Sequence, residues 1–214
     1  TGHYRDLEGI RRSFERVNAL DPELSDNVER VQRVLAYGDG HFKSLDRSPS
    51  ILDVGSGLCV FLYRMKAAGW ECTALDQDER LATHAQEVAG VKSVCGDFMA
   101  VQDIGHFDMV TFNKVLEHVE DPVAMLAKSV RYLHADSLVY VEVPDGELAA
   151  ADGQYRNEFF IDHLHVFSAA SLALLGARAG FTLQTIERLQ GPSGKHTLRA
   201  FLVLSEVVKH ETND

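Results

Sequence analysis

From residue 50 onward the chain alternates short apolar runs with longer helical ones, and this rhythm constrains the fold more than any other feature. "SILDVGSG", "ECTALDQ", "VKSVCGD", "FDMVTFN" and "SLVYVEVP" read as strands. Between them, residues 58–68 and 78–89 read as helices closed by Gly69 and Gly90. A third helix begins at Asp121-Pro122, with Val123, Leu126, Val130 and Leu133 on one stripe. Strands that each hand over to a helix pair in parallel through right-handed crossovers, and such a sheet is covered on both faces. "SLVYV" is apolar on both sides, as a strand buried that way requires. The expectation is a single Rossmann-like α/β domain, a three-layer sandwich.

The flanks follow other rules. Residues 3–20 and 22–37 read as two helices, the second capped by Asp21, opened by Pro22 and stopped by Gly38. "GDGHFKSLDRSPS" then reads as a loop. Residues 1–40 are therefore expected to form an N-terminal helical cap, packed over a cofactor mouth or against a second copy of the chain. Residues 145–167 break the rhythm with a long mixture of aromatics, acids and histidines. An insert of that length inside a compact domain is usually functional. Ser168 caps a further helix, with Gly180 just past its end. "FTLQTIERLQ" and "LRAFLVLSEVV", joined by "GPSGKHT", read as a closing hairpin.

Bulk properties exclude several classes. The formal net charge of -11 opposes binding to polyanionic nucleic acid, and no local basic patch offsets it. The three cysteines are odd in number and none stands in C-x-x-C spacing, so neither a disulfide framework nor a cysteine zinc site is expected. A reducing, cytoplasmic location is the default for such a chain. No apolar run approaches membrane-spanning length, so no membrane insertion is expected.

In a sheet of this kind ligands bind outside the carboxyl ends of the strands. The residues there are Asp53-Val54-Gly55-Ser56-Gly57, Asp76, Asp97, Asn113 and Pro144-Asp145. Two glycines at a strand-to-helix turn let the backbone approach a ligand closely. Asp76, ending the second strand, is placed to accept both hydroxyls of a ribose, and Asp97 to meet the other end of a nucleoside. A dinucleotide loop wants G-x-G-x-x-G, and Val60 stands at its third glycine. A P-loop needs G-K-[ST], which is absent. S-adenosylmethionine (SAM) is the third ligand that suits such a loop.

Taken in order, the motifs resemble those of class I SAM-dependent methyltransferases, in the small-molecule branch similar to ubiquinone-type and sugar methyltransferases. "LDVGSG" resembles their first motif, "ALDQDE" their second-strand acid and "CGDF" their adenine motif. "FDMVTFNKVLEHVEDP" is similar to the stretch around their fourth strand, and "HLHVFSAASLALLGARAGF" to their late helix and turn. The resemblance covers roughly residues 50–205. It implies a seven-stranded, mostly parallel sheet in which the last hairpin contributes one antiparallel strand. It implies a SAM-binding domain over residues 48–210, with S-adenosyl-L-homocysteine as product.

Roles follow by position. The resemblance places Asp53 near the methionine amino group, Gly55, Ser56 and Gly57 along the methionine and ribose, and Asp76 with Gln77 at the ribose hydroxyls. It places Asp97 and Phe98 at the adenine, and the main chain of Asn113 and Lys114 beside the thioether. Cys59 stands where this family most often has its third glycine, and is expected to tune the loop without abolishing it.

Methyl transfer from a sulfonium is an in-line displacement, so the protein mostly supplies positioning. An oxygen acceptor also benefits from a base of near-neutral pKa, which histidine provides. The candidates are His165 and His163 in the insert, with His118 as a wall residue. On an extended segment His163 and His165 face the same way and, with Glu158 and Asp162, form a metal site or an acid–base cluster. The plainer alternative is that one histidine bonds the backbone and the other is exposed. H-x-H alone is a weak metal signal, and no metal is assigned. Tyr155, Phe159 and Phe160 line an acceptor pocket or form a local core.

The expected activity is methylation of a small metabolite, at oxygen first and at carbon of a sugar or quinone-like ring second. The alternatives are a nicotinamide-dinucleotide enzyme and a non-catalytic SAM- or partner-binding module. A homodimer is a further possibility.

Overall fold

The computed structural model describes residues 6–153 and 155–212, which separate into two compact units meeting in sequence at Ile104 and Gly105. The first unit holds α1 (Leu7–Asn18), α2 (Asp26–His41), β1 (Ser50–Val54), α3 (Val60–Ala67), β2 (Glu71–Asp76), α4 (Glu79–Glu87) and β3 (Lys92–Cys95). The second holds β4 (Phe107–Asn113), α5 (Pro122–Lys128), β5 (Leu133–Pro144), α6 (Gly146–Asp152), α7 (Ala169–Arg178), β6 (Phe181–Gln190), β7 (His196–Leu204) and α8 (Glu206–Thr212). The strands form one seven-stranded sheet in the order β3-β2-β1-β4-β5-β7-β6. β7 runs antiparallel to both β5 and β6, so the expected single antiparallel strand is present.

In the first unit, Asp6 caps α1 by accepting the Gly9 N–H at 2.7 Å. Ile10 and Phe14, one turn apart, bury the inner stripe of α1 against α3 and α4. The Phe14 ring stands edge-on to Tyr63 and His84. Residues 3–5 of the expected first helix lie outside the described residues. The second helix starts later than its sequence suggests. Asp21 and Pro22 open only a single 3-10 turn, Pro22–Leu24, and Ser25 takes over as the α2 cap. Gly38 does not stop α2 but lies buried inside it, because the Phe42 N–H still reaches its carbonyl at 2.7 Å. Packing outweighs the roughly 1 kcal/mol that an interior helical glycine costs.

In the second unit, Met109, Phe112, Leu138, Tyr140, Phe201 and Leu202 are fully buried along β4, β5 and β7. The stripe expected to carry one helix through Leu133 is cut short. Ser129 Oγ donates to the Leu126 carbonyl at 2.6 Å, α5 gives way to a 3-10 turn (Ser129–Tyr132), and Leu133 opens β5 opposite Phe107. The run "LRAFLVLSEVV" is likewise divided, with β7 ending at Leu204 and α8 beginning at Glu206. The insert 145–167 is closed at its base. Asp145 bridges Phe167, and the Gly146 N–H donates to the Phe167 carbonyl at 2.8 Å. A Cβ at Gly146 would stand 2.1 Å from Val166 Cγ1, so only glycine permits that approach. Among the described residues no helix is long and apolar enough to cross a membrane.

Candidate functional site

The glycine loop is built by its anchors to β2. Gly55 and Ser56 both donate their N–H to the Leu75 carbonyl, at 2.8 and 3.1 Å. Gly57 donates to Asp76 Oδ2 at 2.9 Å, while Asp76 Oδ1 takes the Asp78 N–H at 3.0 Å. The loop coils through three left-handed residues, Gly55, Gly57 and Cys59, with φ of 69°, 52° and 59°. Cys59 is thus a cysteine in a conformation that favours glycine. It lies just before α3 with its side chain fully buried. That burial, with Asp53 nearby, pushes its thiol pKa up and leaves it a packing residue rather than a nucleophile. Cys72, half-buried with Asp53 nearby, is also pushed up, to about 12, mainly by desolvation.

The residues present fit a nucleoside–sulfonium cofactor. Gly55 is exposed at the turn, and Ser56 Oγ is buried without a hydrogen-bond partner among the described residues. Each Asp76 oxygen accepts one backbone N–H, which leaves acceptor capacity on both for a pair of hydroxyls. Burial raises the Asp76 pKa, and the N–H groups of Asp78 and Gly57 oppose it. Asp53 is buried at the end of β1 and Gln77 is exposed beside Asp76. Asp97 is exposed and caps a turn through the Met99 N–H at 2.9 Å, and Phe98 packs beneath it in the core.

The second unit has its own concavity, a cavity of about 300 Å³ beside the ends of β4 and β5. Lys114, just past Asn113, holds a left-handed φ of 59°, a strained value for a non-glycine residue. Its Nζ donates to Thr197 Oγ1 at 2.9 Å and stands 3.9 Å from Glu142. Glu142 is buried and also accepts from Tyr140 Oη and Arg199 Nε, at 2.9 and 3.2 Å. This network fixes one wall. A second wall is the insert, where Glu158 accepts from Arg156 at 2.8 Å and from the His196 N–H at 2.7 Å. Burial alone would raise the Glu158 pKa, but the Arg156 and His196 bonds win and hold it near 2.

The histidines divide. His118 and His163 both line the cavity, their rings 4.8 Å apart and nearly perpendicular. His118 Nδ1 bonds the Asp162 carbonyl at 3.0 Å, and His163 Nδ1 bonds the Glu158 carbonyl at 2.9 Å. His165 is not among the cavity-lining residues. It rests 3.4 Å from the Glu120 carbonyl and 6.2 Å from the Phe167 ring. The extended segment expected to align His163 with His165 is instead a turn, closed by His163 N–H to the Phe160 carbonyl at 2.9 Å. Glu158 and Asp162 therefore meet the histidines through main-chain carbonyls, their carboxylates taking no part in those bonds. Phe160 lines the cavity half-exposed, while Tyr155 is almost wholly exposed.

Glu117, which sequence reasoning passed over, completes the group. It is 1% exposed beside His118, and its Oε2 has no hydrogen-bond partner among the described residues. Burial raises its pKa against the pull of Lys114, His118 and His163. The signal was in the sequence, an adjacent Glu-His pair shortly past the end of β4, but only the fold shows that the carboxylate is buried. Lys195 and His196 are also missed cavity residues, brought there by β7.

Comparison with known proteins gives this geometry a family. A family described as a methyltransferase domain matches residues 19–186. A ubiquinone biosynthesis O-methyltransferase of Caulobacter vibrioides is 28% identical over 119 residues, which are 52% of this chain and 47% of that protein. The protein of the same name from Xanthomonas oryzae pv. oryzae is 30% identical over 165 residues, 73% of this chain and 58% of that one. The chain spans about half the length of the curated relatives it matches. Among solved structures, the fold is shared with a magnesium protoporphyrin IX methyltransferase from Synechocystis with bound SAH (TM-score 0.69, 15% identity, 94% of this chain and 97% of that one). It is also shared with a 1,6-didemethyltoxoflavin-N1-methyltransferase from Burkholderia thailandensis (TM-score 0.65, 21% identity, 94% and 87%). With the family matched over most of its length and the Rossmann-like sheet in place, the chain belongs to the methyltransferase domain family, in its class I form.

Proposed function

We propose that the protein transfers a methyl group from SAM to a small-molecule acceptor, at oxygen first and at carbon second. The observation that carries this reading is the Asp76 carboxylate, seated under the Gly55–Gly57 turn with acceptor capacity left on both oxygens. Asp53, Gly55, Ser56, Gly57, Asp76, Gln77, Asp97 and Phe98 are the residues that would hold the cofactor, with the main chain of Asn113 and Lys114 beside it. When bound, SAM supplies an already activated methyl carbon, so the chain's own task is orientation and exclusion of water.

On the acceptor side, the bonds to carbonyl oxygens place the protons of His118 and His163 on Nδ1. The second ring nitrogen of each is then a lone pair available to accept an acceptor hydroxyl's proton. Lys114 and Lys195, on the same cavity, suit an acceptor carrying a carboxylate or phenolate. The ubiquinone O-methyltransferase names of the relatives favour oxygen as the acceptor atom.

Calorimetric titration with S-adenosylhomocysteine tests the reading. Stoichiometric binding that is lost in Asp76→Ala is expected. No binding to the wild-type protein would overturn it.

A further inference from the structure

We propose that Glu117, His118 and His163 form a binding site for one divalent transition-metal ion, which holds an oxygen of the acceptor. This rests on the methyltransferase reading for the acceptor's role, although the ion's binding does not. One carboxylate oxygen and one nitrogen from each ring all lie within 4.8 Å of one another. That spacing allows a single ion to reach all three.

Three independent features separate this group from a casual surface cluster. First, the carboxylate is buried while its Oε2 lacks a hydrogen-bond partner among the described residues. A buried polar atom without a partner is costly, and a cation is the natural complement of an ionised one. Lys114 is close by, but its Nζ bonds Thr197 Oγ1 and makes no hydrogen bond to Glu117 Oε2. Second, both rings give their Nδ1 to backbone carbonyls, of Asp162 and Glu158. That is the outer-shell arrangement that fixes a metal-binding imidazole in one tautomer and presents the other nitrogen as a ligand. Third, the two segments are tied together by main-chain bonds. Leu164 and His165 donate their N–H to the Glu117 carbonyl at 2.7 and 3.2 Å. The ligands are thus held in place before any ion arrives.

Two imidazoles and one carboxylate suit zinc, manganese, iron or cobalt in the divalent state better than calcium or magnesium, which prefer all-oxygen shells. Three protein ligands leave open coordination positions, and all three residues line the cavity. An acceptor presenting a hydroxyl or enolate oxygen would bind there, which orients that oxygen and lowers its proton affinity; with both free ring nitrogens coordinated, the ion takes over the activation otherwise given to the histidine lone pairs, and a hydroxyl proton passes to solvent.

The test uses the full chain, stripped with chelator and titrated with Co²⁺, followed by visible absorption and by calorimetry. One ion per chain is expected. His118→Ala and His163→Ala should each weaken binding about 10–100-fold or more, the range typical for disturbing a metal shell. His165→Ala should leave it unchanged. Circular dichroism and thermal melts of each variant report folding, and Glu117→Gln, a near-isosteric change, supplies a third ligand variant should an alanine variant not fold. Absence of stoichiometric Co²⁺ binding to the wild-type protein, or undiminished binding in the folded variants, overturns the site. S-adenosylhomocysteine titrations of the same samples keep the two readings apart. Cofactor binding without cobalt binding removes only the metal site, and cobalt binding without cofactor binding removes only the methyltransferase reading.

Discussion

The glycine loop of the first unit and the cavity of the second are built by opposite means. The loop is made of backbone. Its contacts run between Gly55, Ser56, Gly57 and the adjacent end of β2, and the side chain proposed to take the ribose, Asp76, is held by two main-chain N–H groups. The cavity is made of side chains drawn from distant positions, such as Glu158 with the His196 N–H and Glu142 with Arg199. A backbone-built site tolerates change in most neighbours and depends on a few conformations. A site built of long-range polar contacts depends on every partner, because each buried group left unpaired carries its own penalty.

Four substitutions probe that contrast. The largest effect is expected at His163→Ala, where turnover should fall by about 10²–10⁴-fold, the usual contribution of a positioned acid–base group. Affinity for S-adenosylhomocysteine should stay within a factor of about three, since His163 is not among the proposed cofactor contacts and a few tenths of a kcal/mol is the ordinary scale of a change outside them. A parallel loss of cofactor affinity would erase the division of labour.

Next comes Asp76→Ala. Losing two hydrogen bonds to a charged group, at about 1.5–3 kcal/mol each, should weaken cofactor binding by roughly 10²-fold or more while the melting transition stays cooperative. Unchanged affinity in calorimetry would place the ribose elsewhere.

His84→Leu concerns the one buried histidine among the described residues of the first unit. Its Nε2 is buried with no partner among the described residues, and burial lowers its pKa below the ordinary 6.5. The unfolded chain therefore takes up a proton near 6.5 that the folded chain refuses until a lower pH. Its contribution is fully favourable above that value and declines as pH falls through and below it. Thermal melts between pH 7.5 and 5 should show a flatter pH dependence in His84→Leu than in the wild type; an equal slope would count against it.

The smallest effect is expected at Cys59→Gly. Relief of the left-handed conformation, about 1–2 kcal/mol, opposes loss of a small buried side chain of similar worth. The melting temperature should move only a few degrees and cofactor affinity should persist. A large loss would mean that the Cys59 side chain shapes the loop.

Much of the first unit was legible in the residues, because its information is local. Asp53, the two glycines and Asp76 fall at strand ends wherever those strands lie in space. Even Cys59, read as the irregular residue, takes the left-handed conformation that explains why a glycine is usual there. The second unit resisted for physical reasons. Nothing within a few residues of His163 says that its segment turns at Phe160 instead of running extended, so His165 separates from it. The stripe through Leu133 has helical spacing, yet Ser129 bonding back to Leu126 ends the helix. Local propensity lost there to pairing with β4.

The sequence by itself determined the alternation of β1–β5 with their helices, the last hairpin and the acid at the end of β2. Each depends on periodicity or on a turn a few residues long. Only the tertiary structure decided which acids and histidines meet. Glu117, His118 and His163 converge although the latter two are 45 positions apart in the chain, because Leu164 and His165 bond the Glu117 carbonyl. Glu158 is ionised because Arg156 and the start of β7 reach it. Such encounters depend on how the chain returns to the same place, and no window of sequence contains that.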